Sequence, residues 1–373
     1  MESFNETVAT FLNPQEGDGL PLPRTTFGAV NRSGTLNYVK CFGDDLQPGR
    51  NADPTIPTDS MYTIASSTKF ITTLAALQCV DNGLLSLDGD IGDVLPEWKN
   101  PKILTSFDNN DQPIFVPAKN TVTLRLKEAA LPLEWPGREA YELFLVEEPG
   151  TKWMYSPGMD WAGLMIEKVT NLSLGAYMHA HIFAPLHAPD ILYHLDQHPS
   201  SHARLAATFE RDPASGALAA IPDISRPTTD DFGGGGLSGS AASLLAVYAA
   251  VLREDPRLAI RPATLREIWT PQLATTHGLE SIENVDPGAL CGVPRGAAIT
   301  YGLGGLVNLE DVAGRRRARS VAWSGMRNYY FWIDFESGVA GLQAMHMLPC
   351  GDERTVELLE RFEEAVYMAA ENA

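Results

Sequence analysis

The sequence predicts an α+β fold: an antiparallel sheet flanked by N- and C-terminal helices, with a helical domain inserted between its two halves. Three observations carry this. Strand-like segments cluster near both ends of the 373 residues, helical patterns fill the stretch between them, and an amphipathic run stands at each terminus. That order is not the strand–helix alternation of a doubly wound sheet. The expected division is residues 1–98 with 271–373 as the sheet domain and 99–270 as a mostly helical domain, with a cleft between them.

Each element has a local signal. M-E-S-F-N-E-T-V-A-T-F-L-N reads as a short amphipathic helix, and T-T-F-G-A-V-N-R-S-G-T-L-N-Y-V-K-C-F-G as two strands about an Asn-Arg-Ser-Gly turn. Ile71 to Cys79, with its neighbours, forms a long apolar helix that stops at Asn82-Gly83, where glycine accepts a left-handed conformation. Leu84 to Trp98 follows as an acidic loop. W-A-G-L-M-I-E-K-V-T and A-A-S-L-L-A-V-Y-A-A-V-L supply helices in the middle. I-T-Y-G-L-G-G-L-V-N-L, S-V-A-W-S-G, Y-Y-F-W-I-D-F and G-V-A-G-L-Q-A-M-H-M-L are the late strands, separated by turn signals at Gly314, Arg327-Asn328 and Glu336-Ser337-Gly338. Thr355 to Met368 closes the chain as an amphipathic helix.

Composition removes several function classes. With 44% hydrophobic and 20% charged residues, the chain is an ordinary globular protein. Its 28 basic and 47 acidic residues leave a net charge of -19, which repels a phosphate backbone, so no nucleic-acid partner is expected. The one basic run, Arg315-Arg316-Arg317, reads as a solvated hairpin tip. Ala241 to Leu252 is too short to span a bilayer, so no membrane role is expected. The acidic amino terminus lacks a secretory pattern, and the four cysteines (Cys41, Cys79, Cys291, Cys350) lie far apart without C-x-x-C. A cytoplasmic protein without disulfide framework or zinc is expected, with Cys79 a core residue. The histidines at 179, 181, 187, 194, 198 and 202 have no ligand spacing and read as surface residues, so no metal or other cofactor is expected. No G-x-S-x-G elbow exists.

The chemistry concentrates at Ser66-Ser67-Thr68-Lys69. A Ser and a Lys at i and i+3 share a face where the apolar helix begins. Ser66 then sits in the first turn, where free N–H groups favour a developing alkoxide. A lysine held beside it can activate the hydroxyl. Taken alone the tetrad also reads as a Ser cap with a solvated Lys.

The surrounding text decides between them. M-Y-T-I-A-S-S-T-K-F-I-T-T-L-A-A-L-Q-C-V-D-N-G-L-L-S-L-D-G-D-I-G-D-V-L-P-E-W resembles the first motif region of class C β-lactamases, family VIII carboxylesterases and their relatives in the serine β-lactamase and penicillin-binding-protein superfamily. E-P-G-T-K-W-M-Y-S-P-G-M-D-W-A-G resembles the segment that delivers the family's catalytic tyrosine, here Tyr155; its wording is nearest to lovastatin-type side-chain acyltransferases. Trp323-Ser324-Gly325 falls where penicillin-recognising members carry K-T-G. Asp231-Phe232-Gly233-Gly234-Gly235-Gly236-Leu237-Ser238 resembles a loop at the family's active-site floor, with Gly235 or Gly236 expected at a close backbone approach.

The resemblance implies a β-lactamase/transpeptidase-like fold and two-step acyl transfer. Ser66 is the nucleophile, and Lys69 and Tyr155 move protons. Trp323, Ser324, Gly325, Gly235 and Gly236 bound the substrate site, and a strand N–H near Gly325 completes an oxyanion hole. Acyl donor and acceptor are small-molecule esters, thioesters and hydroxyls in secondary metabolism, the donor including an acyl group on a carrier protein. Two departures bear on substrate. Trp323 replaces the cation that grips a β-lactam carboxylate, and Tyr155-Ser156-Pro157 lacks the amide of Y-x-N. In addition, T-V-T-L-R-L runs directly into K-E-A-A-L-P-L-E-W-P, without the family's H-T-S-G segment. That shortened loop keeps a second reading open, a binding protein of altered chemistry on the same fold.

Overall fold

Strands from the two ends of the chain meet in one sheet. The computed structural model describes residues 1–12, 21–43, 58–125, 144–223, 228–282 and 287–372. Helix α1 (Glu2–Leu12) leads into the hairpin β1 (Thr25–Asn31) and β2 (Asn37–Phe42). The late strands are β10 (Ile299–Tyr301), β11 (Leu306–Asn308), β12 (Val321–Gly325), β13 (Tyr329–Asp334) and β14 (Val339–Met345). They join the first hairpin in the order β10-β11-β12-β13-β14-β1-β2, antiparallel throughout. The junction is β1 against β14, from Thr25 opposite Met345 to Asn31 opposite Val339.

Period-two alternation sorts the side chains to two covered faces. Phe27 and Ala29 of β1, with Tyr330 and Trp332 of β13, pack under α1 and the closing helix α5 (Glu353–Glu371), where the Phe27 and Phe362 rings lie 4.7 Å apart. Val30, Phe331 and Ile333 face the other way, onto α2 (Thr68–Asp81) and α4 (Ala241–Leu252). Phe70 of α2 and Tyr248 of α4 meet Phe331 at 4.9 and 4.7 Å. Both faces being covered explains why these strands read as near-continuous apolar runs. Helix α2 is buried along nearly its whole length, Cys79 included, and is capped at Asn82-Gly83 with Gly83 at φ +70°.

The middle of the chain is less helical than its sequence implies. Besides α3 (Gly158–Thr170) and α4 it holds the hairpin β4 (Lys102–Phe107) and β5 (Pro113–Pro117), and the short strands β6 (Ile191–Leu192), β7 (Thr208–Arg211), β8 (Leu218–Ile221) and β9 (Ser238–Ser240). β9 pairs with β3 (Met61–Thr63) and β6, which fixes the chain just before the Ser66 turn. β15 (Met347–Leu348) pairs with β7. These strands have two to six residues, too short for their pattern to stand out from loops.

Two further expectations are corrected. I-T-Y-G-L-G-G-L-V-N-L is a hairpin, not one strand: the chain reverses at Gly302–Gly305, with Tyr301 opposite Leu306. The run Arg315-Arg316-Arg317 is not a solvated tip. Arg316 is 1% exposed, its Nε donates to Glu363 Oε2 at 3.0 Å and its Nη2 to the other oxygen, and Glu363 of α5 is itself buried. Only Arg317 points outward, to Asp311 at 2.8 Å. A basic run in sequence is a poor guide to solvation when a buried acid waits on a helix 47 residues further on.

Candidate active site

The Ser66 turn is held from three directions. Residues Ala65–Ser67 form a 3-10 turn that runs into α2, so Ser66 lies one turn ahead of Lys69 and on its face. Ala65 takes φ +43°, a left-handed value that costs a non-glycine residue energy and that surrounding contacts must hold. Those contacts are backbone ones. Ile64 N donates to Leu237 O at 3.0 Å, and β12 lies so close that a Cβ on Gly325 would stand 2.1 Å from Ile64 O. Gly325 is therefore a steric necessity for the strand beside the Ser66 turn.

Ser66 Oγ accepts from Tyr155 Oη at 2.5 Å and from Lys69 Nζ at 3.3 Å. Lys69 Nζ also donates to Gly234 O at 2.6 Å and stands 4.8 Å from the centre of the Tyr155 ring. The serine hydroxyl thus accepts from both groups that can exchange its proton. All three are half-buried, and Lys69 and Tyr155 line a small cleft with Ser156, Met159, Tyr301, Leu303 and Gly304.

Aromatic packing fixes the tyrosine. Trp153 and Trp323 flank Tyr155, and Tyr301 packs on both tryptophans, with ring centres 5.3 to 6.4 Å apart in tilted and edge-on pairs. Trp153 N donates to His277 O at 2.8 Å, which anchors the segment entering α3. Ser156 Oγ accepts from Gly158 N at 3.1 Å, a local turn contact at the first residue of α3.

The glycine loop is stitched to α2. Thr72 Oγ1 donates to Gly233 O at 2.7 Å, and Leu237 N donates to Thr68 Oγ1 at 3.2 Å. Asp160, in the first turn of α3, accepts from Gly234 N at 2.8 Å. Burial pushes the Asp160 carboxyl above its usual range, against the pull of the Lys69 charge and the Gly234 N–H.

A family model described as beta-lactamase matches residues 27–346. The chain belongs to the beta-lactamase family. Lovastatin esterase of Penicillium rubens is 30% identical over 371 residues, spanning 91% of this chain and 92% of that relative. Monacolin J acid methylbutanoyltransferase of Aspergillus terreus is 28% identical, spanning 93% of this chain and 92% of the relative. The unliganded simvastatin synthase of Aspergillus terreus has the same fold, with a TM-score of 0.86 at 26% identity, covering 100% of this chain and 98% of the other. Within the beta-lactamase family the chain is thus an enzyme whose relatives are acyltransferases and esterases of secondary metabolism.

In this beta-lactamase-family site, Ser66, Lys69 and Tyr155 come together as expected from the motifs. Trp323, buried in β12, touches the cleft through the Tyr155 and Tyr301 rings; Ser324 is buried beside it and Gly325 abuts Ile64. The glycine loop differs from expectation. The close approaches are at Gly233, where a Cβ would lie 2.3 Å from Met159 O, and Gly234, 2.8 Å from Asp160 Oδ2. Gly236 supplies a positive φ of 104° beside the Tyr193 ring. Of the six histidines named, five are exposed, while His194 donates to or accepts from Asp231 Oδ1 at 2.7 Å. The shortened segment of residues 126–143 lies outside the described residues. Sequence reasoning missed Asp160, Met159, Tyr301, Leu303 and Gly304. Asp160 had a signal, an acid five residues after Tyr155, but a first-turn acid reads equally as a helix-end charge. Among the described residues, no helix is long and apolar enough to cross a membrane.

Proposed function

We propose that the protein transfers an acyl group in two steps through an acyl-Ser66 intermediate. The single observation that supports this most is the double hold on Ser66 Oγ, by Tyr155 at 2.5 Å and Lys69 at 3.3 Å, the two residues that also line the cleft. The Lys69–Tyr155 pair gives up one proton, then takes the Ser66 proton as Oγ bonds to the ester or thioester carbonyl carbon. The oxyanion faces the backbone N–H of Ser66 and the strand end at Gly325. The carbonyl re-forms as the C–O or C–S bond breaks, and the leaving group receives its proton from Tyr155. An acceptor hydroxyl, or water, then loses a proton to the same pair and attacks the acyl-serine, which frees Ser66.

In this reading the substrate lies between the sheet unit (1–98 with 271–373) and the inserted unit (99–270). Donor and acceptor are small neutral molecules in a cytoplasmic pathway, the donor including an acyl thioester on a carrier protein. With Trp323 in place of a cation and Pro157 in place of an amide, a β-lactam carboxylate finds no charged partner there, a loss of about 2–5 kcal/mol of recognition.

The test combines labelling and turnover. A fluorophosphonate should add one adduct, mapping to Ser66, and Ser66→Ala should lose both the adduct and p-nitrophenyl butyrate hydrolysis while Ser67→Ala keeps them. Lys69→Ala and Tyr155→Phe should each lower kcat roughly a hundredfold, and the double variant little further. Nitrocefin should be a far poorer substrate than the butyrate ester. Turnover surviving in Ser66→Ala, or nitrocefin as the better substrate, overturns the reading.

A further inference from the structure

Beneath the serine turn, the glycine loop joins two charged side chains from different helices. Lys69 of α2 donates to Gly234 O at 2.6 Å, and the N–H of that same residue donates to Asp160 Oδ1 of α3 at 2.8 Å. The fit has no slack, because a Cβ on Gly234 would lie 2.8 Å from Asp160 Oδ2. Pro157 O accepts from Asp160 N at 2.9 Å, so the carboxylate is fixed to the segment that also carries Tyr155. One peptide residue thus couples the anchor of the tyrosine segment to the anchor of the lysine.

We propose that Asp160 is a positioning residue for acyl transfer: its carboxylate clamps Gly234 so that the Gly234 carbonyl fixes Lys69, and its charge stabilises the Lys69 ammonium. With the ammonium held, the proton lost on activation comes from the Tyr155 hydroxyl, which already touches Ser66 Oγ. The coupling is mutual: burial raises the proton affinity of Asp160 on balance, and the field of Lys69 acts against it. The groups around the carboxylate are few. Lys69 faces it from α2 and Tyr155 belongs to its own segment. Tyr193, following β6, feels the charges of Asp160, Asp231 and Glu167, and its hydroxyl donates to Phe232 O at 2.9 Å. Asp231 is engaged elsewhere, by Gly175 N at 2.8 Å and His194 at 2.7 Å. Lys69 is therefore the cation whose charge acts on Asp160 in this cluster, across the Gly234 residue that both side chains bind.

The sign of the expected pH effect follows from the charge. A carboxylate beside the Lys69–Tyr155 pair makes its first proton harder to remove, so it raises the pH at which the acid limb of activity appears. Removing the charge lets that proton leave at lower pH. The variants are Asp160→Asn, which keeps the acceptor for Gly234 N without the charge, Asp160→Ala, which keeps neither, and Asp160→Glu, which restores the charge. The measurements are kcat/KM for p-nitrophenyl butyrate and the rate of fluorophosphonate labelling, from pH 5 to 10, with circular dichroism to check folding. Asp160→Asn should move the acid limb down by about one pH unit and lower the plateau several-fold. Asp160→Ala should lower the plateau on the order of a hundredfold. Asp160→Glu should return the limb toward the wild-type position.

The inference rests on Ser66 as the acylated residue, and the labelling arm separates the two. Wild-type protein that takes no adduct at Ser66 removes the reading of the site itself. An adduct at Ser66 with coincident acid limbs in wild type and Asp160→Asn, as an uncharged Asp160 would give, overturns the role of Asp160 alone. Should Asp160→Ala fail to fold, the near-isosteric Asn variant still decides.

Discussion

Adding one methyl group at Gly325 should disable the enzyme without unfolding it. In Gly325→Ala the new Cβ would begin 2.1 Å from Ile64 O and 2.9 Å from Ile64 C. Real contacts of this kind begin near 3.0 Å, so about 1 Å of movement is required. β12 cannot supply it readily, since Trp323, Ser324 and Gly325 are registered against Phe331, Tyr330 and Tyr329 in the middle of the seven-stranded sheet. The part that yields is the turn from Ile64 to Ser66. Displacing Ser66 Oγ by that amount stretches its 2.5 Å contact to Tyr155 and its 3.3 Å contact to Lys69 beyond useful proton transfer. A misplacement of ~1 Å costs roughly a hundredfold in rate, equivalent to about 2.7 kcal/mol in the barrier. The stability cost is that of overpacking, about 1–3 kcal/mol, which a domain with a core this size survives. The assay is kcat for p-nitrophenyl butyrate together with thermal unfolding, measured at a temperature where the variant is folded. Folded Gly325→Ala with wild-type kcat would falsify the argument that this strand positions the nucleophile.

Two other features give checks on stability. Arg316→Met should destabilise by about 3–5 kcal/mol, because Glu363 would lose its close partner in the core and keep only the longer contact to Arg315 at 3.7 Å, while Arg316→Met with Glu363→Leu should recover most of the loss; denaturant melts of both variants decide, and an additive double variant refutes it. His346 is buried between Thr63 N–H, which donates to its Nε2 at 2.9 Å, and Ala206 O, 3.1 Å from its Nδ1, and burial pushes its imidazole from the usual 6.5 down to about 4. Its folded pKa lies below the unfolded one, so its contribution is present above pH ~6.5 and fades as pH falls toward 4. At ~1.4 kcal/mol for each pH unit this amounts to about 3 kcal/mol, and His346→Gln should flatten that part of the stability–pH curve measured in urea.

Sequence legibility tracked segment length and the reach of local rules. α3, α4, β12, β13 and β14 are visible as patterns because each is long enough to show periodicity and ends at a turn residue. The short strands β3, β6 and β9 are not, although they frame the Ser66 turn, since two or three residues have no period. The proposed catalytic triplet was legible through its motifs, not through geometry: 89 residues separate Tyr155 from Ser66, and no local rule brings them to 2.5 Å. Asp160 and the choice among the four glycines were illegible for the same reason. Which glycine needs its missing side chain is decided by Met159 and Asp160 on another helix, not by its neighbours in sequence.

The strained Ala65 shows why these distant contacts matter to one another. A non-glycine residue at φ +43° sits about 1–3 kcal/mol above its relaxed conformation and would relax if the turn were free. It is held on one side by the Ile64–Leu237 hydrogen bond and on the other by β12 at Gly325. Leu237 is in turn tied to Thr68, at the start of the helix that carries Lys69. The position of Ser66, the proposed nucleophile, is therefore over-determined by a closed circuit running through the serine turn, α2, the glycine loop and the central sheet. Loosening any one member lets Ala65 relax and draws Ser66 away from its partners. Substitutions in the glycine loop, far from Ser66 in sequence, should consequently reduce kcat more than they alter KM, since what they lose is alignment of the reacting groups, whereas binding surface is retained.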